Sequence, residues 1–139
     1  MKTIALAFFV TLFAAGDATP QFPVAMVFHG CGPTDGATIR LTLAKSGNAC
    51  GPQATNTLTL IVDGSAPKTG TTYDVKAMNA TRCSKPGKCD AAAKASLRFD
   101  EFTDGTSAKG HWTASLKDGT AIEGDFDAVF CEKSPPPCG

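Results

Sequence analysis

The sequence predicts an all-β domain: an antiparallel β-sandwich of about seven strands stapled by disulfides, with a small closed β-barrel as the alternative. Three observations carry this reading. Short runs rich in Val, Ile, Leu, Thr and Tyr recur between Gly, Pro, Asn and Asp turn signals. No stretch holds the apolar period of a long helix. Near the C-terminus, Gly110-His111-Trp112-Thr113-Ala114 and Gly124-Asp125-Phe126-Asp127-Ala128 repeat one pattern on either side of Leu116-Lys117-Asp118-Gly119, which is a β-hairpin written in sequence.

The elements follow in chain order. Met1 and Lys2 make a short basic start, residues 3–15 are an apolar run too short to span a bilayer, and residues 14–18 offer small side chains for cleavage. Residues 1–18 therefore read as a secretory signal peptide, and residues 19–139 as a single β domain with a Pro-rich tail at 132–139. No later segment is suited to crossing a membrane, so the mature chain is expected to be soluble and extracytoplasmic, either periplasmic or secreted. Strands are predicted over 22–28, 38–44, 57–62 and 71–77. Cys83 and Cys89 flank a short loop whose Pro86 and Gly87 suit the centre of a type II turn, and residues 90–94 suit one helical turn after an Asp cap.

The C-terminal meander can be put in register. With Gly119 left-handed, Leu116 faces Thr120, Ala114 faces Ile122, Trp112 faces Gly124 and Gly110 faces Phe126, so each large ring covers a glycine. A slip of one residue would set Trp112 against Asp125. A two-residue turn at Asp104-Gly105 sets Phe99 against Gly110, Leu97 against Trp112 and Ala95 against Ala114. One side chain dissents: Phe102 falls on the polar face and Glu101 inward, which predicts a bulge near Asp100 or a frayed end.

All six cysteines follow the signal, so three disulfides are expected in an oxidising compartment. Cys83 with Cys89 is the local pair. Alternating strand directions put Cys31 and Cys131 at one end and Cys50, Cys83 and Cys89 at the other. The stiff residues 134–137 are able to carry Cys138 most of a strand's length, which suggests Cys31 with Cys131 and Cys50 with Cys138. Closure of Cys131 on Cys138 is the rival.

The chain carries 13 basic and 13 acidic residues, so gross charge gives no reason to expect a nucleic-acid partner. Its two histidines limit acid-base chemistry. His29 reads as an exposed loop residue beside Gly30-Cys31-Gly32. His111 falls between Arg98 and Asp125 in a cross-strand charge ladder. Lys109 falls between Asp100 and Asp127, where it competes with any calcium ion. No EF-hand loop, zinc array, phosphate loop or dinucleotide fingerprint is present, and neither a cofactor nor a metal is expected.

One cluster rises above this background. Lys76, Arg82, Lys85, Lys88 and Lys94 surround the stapled turn, with Lys45 and Lys117 at the same end and Asp90 and Asp118 the only acids expected nearby. The opposite end holds Asp35, Asp63, Asp104 and Glu132. A neutral chain is then dipolar, and Arg82, Lys85 and Lys88 form a candidate anion-binding loop. The sequence favours a binding or accessory module for an anionic envelope component or a partner protein. A disulfide-stapled inhibitor or effector is the alternative, in which Pro86 makes Lys85 a poor scissile residue. A hydrolase ranks last for want of a nucleophile-base pair.

Residues 110–131, a glycine-aromatic hairpin ending in Cys131, resemble the C-terminal hairpin of small exported bacterial proteins. The likeness covers about the last third of the chain. It implies a bacterial extracytoplasmic domain and carries no activity with it. Asn79-Ala80-Thr81 would be a glycosylation acceptor in a eukaryotic source.

The mature protein is expected to start near Asp17 or Thr19 and to carry no free thiol. Intact-mass analysis of the secreted form checks both; a retained N-terminus, or two titratable thiols, contradicts the reading.

Overall fold

A computed structural model describes residues 22–51, 56–75, 79–132 and 137–138. Residues 1–18, read from sequence as a signal peptide, lie outside them. The described chain is all-β: β1 (Val24–Cys31), β2 (Ala37–Ala44), β3 (Thr57–Asp63), β4 (Thr72–Val75), β5 (Ala80–Lys85), β6 (Lys88–Ala91), β7 (Lys94–Thr103), β8 (Ser107–Ser115) and β9 (Ala121–Phe130). These form one nine-stranded sheet in the order β4-β7-β8-β9-β1-β2-β3-β5-β6, curled into a half-barrel in place of the expected sandwich of about seven strands. β4 faces the end of β3 across a gap lined by Ile61, Val62, Tyr73 and Val75, with no shared ladder, so the barrel stays open there.

The two additional strands are β5 and β6, where sequence suggested a simple stapled loop. Gly87 has the positive φ of 79° that the turn requires. The helical turn expected over 90–94 does not form, because Asp90 and Ala91 pair with Arg82 and Thr81 and the Ala92 N–H donates to the Ala80 carbonyl. A backbone committed to a ladder has no donors left for a helix.

The curl comes from joining two antiparallel ribbons. β1–β2–β3–β5–β6 and β4–β7–β8–β9 meet where β1 runs parallel to β9, Met26 opposite Val129 and Val27 opposite Phe130. Their inner faces share one core, in which Val27, Leu41, Leu43, Leu58, Leu60, Leu97, Phe99 and Trp112 are almost fully buried. Phe99 meets the rings of Phe102 and Phe126 edge to face at 5.5 and 5.8 Å. Such contacts add roughly 0.5–1.5 kcal/mol each beyond area burial.

The C-terminal meander adopts the expected register. Trp112 lies opposite both Leu97 and Gly124, and Gly110 opposite both Phe99 and Phe126. Gly119 is left-handed at φ 90°. A Cβ at Gly124 would sit 3.1 Å from the Trp112 indole, and one at Gly110 would collide with the Arg98 carbonyl. Glycine is thus required at both by the ring or backbone laid against it.

The β7–β8 turn corrects the sequence reading in an informative way. Thr103 pairs with Ser107, so the loop has three residues, with Gly105 at φ 73°, where Asp104-Gly105 alone was expected. A bulge between Phe99 and Glu101 absorbs the extra residue. The two irregularities cancel below Phe99, which is why the register of the rest was still legible. Above the bulge the alternation reverses, so Phe102 turns onto Phe99 and Phe130.

Three disulfides close the molecule: Cys31–Cys138, Cys50–Cys131 and Cys83–Cys89, with Cα separations of 5.6, 5.3 and 4.1 Å. The local pair is as expected and the long-range partners are exchanged, neither Cys31–Cys131 nor Cys50–Cys138 being formed. The reason is the stagger at the parallel seam. Phe130 lies opposite Val27, which sets Cys131 level with Phe28 and three residues short of Cys31. At ~3.3 Å per residue that is ~10 Å, beyond the ~7 Å reach of a disulfide. Cys138 closes the remaining distance.

Replacing Trp112 by Ala is expected to cost ~3–5 kcal/mol, the range for a buried aromatic. Denaturant melts measure it. A loss below ~1 kcal/mol would contradict the packing described for Trp112.

Candidate functional site

Strand registers decide which loops share an end. Ala44 pairs with both Val24 and Thr57, and Thr57 with Cys83, so the start of β1, the β2–β3 connection and the β5–β6 turn lie together. The β8–β9 turn joins them, because β9 runs parallel to β1 and reaches Met26 only near its own end. Lys45, Lys85, Lys88 and Lys117 are therefore at one mouth of the half-barrel. Asp35, Asp63 and Asp104 are exposed at the other. Lys76 lies outside the described residues.

The three residues proposed to bind do not form one patch. Lys85 and Lys88 pair across the turn and are exposed at its tip. Arg82 pairs with Leu58, which puts it on the inner face of the sheet. Its guanidinium lies over the Phe22 ring at 5.2 Å, and Phe22 meets Trp112 edge to face at 5.6 Å. Trp112, Phe22 and Arg82 thus form a stack that plugs this mouth. Within it the Arg82 Nε and Nη1 are buried and have no hydrogen-bond partner. Unpaired buried donors of this kind cost on the order of 1–3 kcal/mol each.

Beside the stack opens a cleft of about 440 Å³ between β5–β6 and the β8–β9 turn. Arg82, Ser84, Asp90 and Ala91 line one wall, and Leu116, Lys117 and Asp118 the other. This volume falls in the range of small-ligand sites, roughly 300–1,000 Å³. Asp118 Oδ1 accepts the Thr120 N–H at 2.9 Å. Hydrogen bonds from Thr120, the backbone one foremost, hold its carboxyl below the ordinary value, and the Arg82 charge adds a smaller pull in the same direction.

The histidines fall in two different settings. His29 is not the exposed loop residue that sequence suggested. It belongs to β1, continues the inward alternation of Ala25 and Val27, and is 6% exposed. Its Nε2 lies 2.6 Å from Asp104 Oδ1, its ring lies 4.9 Å from that of Phe130, and its Nδ1 is buried without a partner. The period-two pattern from Ala25 onward was the available signal; the glycines around Cys31 masked it. His111 lies on the outer face as expected, with Asp125 at 2.8 Å and Glu123 at 3.7 Å. Arg98 turns instead to Asp100 at 2.9 Å. Lys109 sits between Glu101 and Asp127, at 3.9 and 3.8 Å, because the bulge displaces Asp100 from the row. Among the described residues no group of three or more His, Cys, Asp or Glu is placed to hold a metal ion.

Compared with protein-family models, curated proteins and solved structures, the chain matches none of them. The cleft therefore stands on its own geometry.

Because the Asp118 carboxyl titrates lower in the fold than its ordinary value, its contribution is present above ~pH 4 and is lost as the pH falls through the depressed value. Asp118→Ala should then lower the melting temperature at neutral pH and leave it unchanged in strong acid. A difference that persists undiminished in strong acid would contradict this.

Proposed function

We propose that the protein is an extracytoplasmic, non-catalytic binding module that recognises an anionic envelope component at the mouth carrying the stapled β5–β6 hairpin. The observation that carries the reading is Arg82, a cation lining a cleft with two buried nitrogens left unpaired. A ligand acceptor that reaches the guanidinium as it lifts off Phe22 would repay a desolvation cost that the folded chain leaves unmet. Lys85 and Lys88, exposed at the tip, add long-range attraction and steer the ligand toward the cleft. Three disulfides suit an oxidising compartment, in line with the export reading.

The inhibitor alternative gains less support. Arg82 lies over Phe22 and is not displayed for a protease, which leaves Lys88 to enter a target site. A hydrolase gains least, since the free nitrogen of His29 is buried and His111 sits between two carboxylates on the open sheet face.

Association with anionic liposomes or acidic polysaccharide is expected at low salt, with release as ionic strength passes ~0.15 M, where the screening length is ~8 Å. Replacing Arg82, Lys85 and Lys88 together by Glu should abolish it. The Lys85→Glu/Lys88→Glu double variant isolates the exposed pair, with a stability change within ~0.5 kcal/mol. Binding that survives the triple change, or that is absent at low salt, removes the proposal.

A further inference from the structure

Arg82 and Asp90 face each other directly across β5–β6, on one side of the ribbon. Opposite charges in that position ordinarily pair. Among the described residues these two do not: the guanidinium is drawn over Phe22, and Asp90 has no ion pair. Lys117 and Asp118, on the facing wall, are likewise without an ion pair among the described residues, and Asp118 commits one oxygen to Thr120. The cleft therefore holds two cations and two carboxylates, none of them in an ion pair with another.

That arrangement discriminates between ligands. A simple anion meeting Arg82 would also approach the charges of Asp90 and Asp118, and a simple cation would meet Arg82 and Lys117. A molecule carrying both signs a few bonds apart satisfies all four groups. We infer that the cleft binds a compact zwitterion, its acidic oxyanion bridging Arg82 and Lys117 from wall to wall and its ammonium bridging Asp90 and Asp118 in the same way. This rests on reading the cleft as a binding site, and narrows it from anions in general to ligands with a paired ammonium. Free amino acids and the phosphoethanolamine headgroup of an envelope lipid share that chemistry.

Calorimetric titration of the mature protein separates the cases, with the single tryptophan, Trp112, as an optical reporter in the adjoining stack. The probes are a panel of α-amino acids, phosphoethanolamine, phosphatidylethanolamine vesicles, and acetate, phosphate and ethylammonium as single-charge controls. A zwitterion is expected to bind about tenfold more tightly than the matching anion alone, the scale of one charge-assisted hydrogen bond. Asp90→Asn, an exposed substitution that breaks no ion pair, should erase that advantage while leaving anion binding in place. Phosphoethanolamine and its vesicles binding while amino acids fail identifies the headgroup, the reverse identifies a free amino acid, and either supports the inference. Acetate or phosphate binding as tightly as every zwitterion overturns it and leaves the anion-binding proposal standing. An advantage that survives Asp90→Asn, or the absence of any zwitterion binding, overturns it as well.

Discussion

The parallel contact between β1 and β9 is the constraint on which the rest of the molecule depends. Each ribbon on either side is built from antiparallel neighbours and has an apolar inner face that cannot be left in water. Only this seam joins them into one sheet, and it does so through very few backbone pairs, Met26 with Val129 and Val27 with Phe130, extended by the Cys131 N–H to the Val27 carbonyl. A short parallel contact is a weak ladder on its own. Both long-range disulfides are anchored on it, Cys31 at the end of β1 and Cys131 just past the end of β9. They span sequence separations of 107 and 81 residues, for which chain-entropy arguments give about 4–5 kcal/mol for one such closure and less for the second because the loops overlap. Covalent closure thus reinforces the one junction where hydrogen bonding is sparse.

The seam also creates the candidate site. By setting β9 low against β1, it carries the β8–β9 turn past the start of β1, to where the β5–β6 hairpin arrives from the other ribbon. The cleft is the space between these two turns. Arg82, which lines it, lies over Phe22, whose ring meets Trp112, so Arg82 is placed where apolar packing and solvent meet. A guanidinium tolerates this position better than an ammonium would, being more weakly hydrated and able to stack on a ring. The same stacking withdraws it from Asp90, and the uncommitted charges of the cleft follow from that competition.

Charge is distributed along the axis of the half-barrel. Lysines crowd the mouth with the stapled hairpin, and aspartates crowd the opposite loops, where Asp104 also reaches the buried His29. Zero net charge therefore coexists with a directional field. The Cys83–Cys89 bridge holds the basic tip in one conformation, which keeps the entropy of ordering it out of any association.

What the sequence determined by itself was local. Side-chain alternation and turn residues put Trp112 over Gly124 and Phe126 over Gly110 and marked the bulge at Asp100, because a strand's two faces and a hairpin's register are properties of neighbouring residues. Even the misread turn was legible as a conflict, with Phe102 on the wrong face. The cysteine count and the Pro86-Gly87 turn located the local bridge. Tertiary structure alone decided the sheet order, the half-barrel, the partners of Cys31 and Cys50, the burial of His29 against Phe130 and the turn of Arg82 onto Phe22. Each depends on the stagger between strands remote in the chain, and stagger is set by how two apolar faces and a seam fit together, which no local pattern of residues encodes.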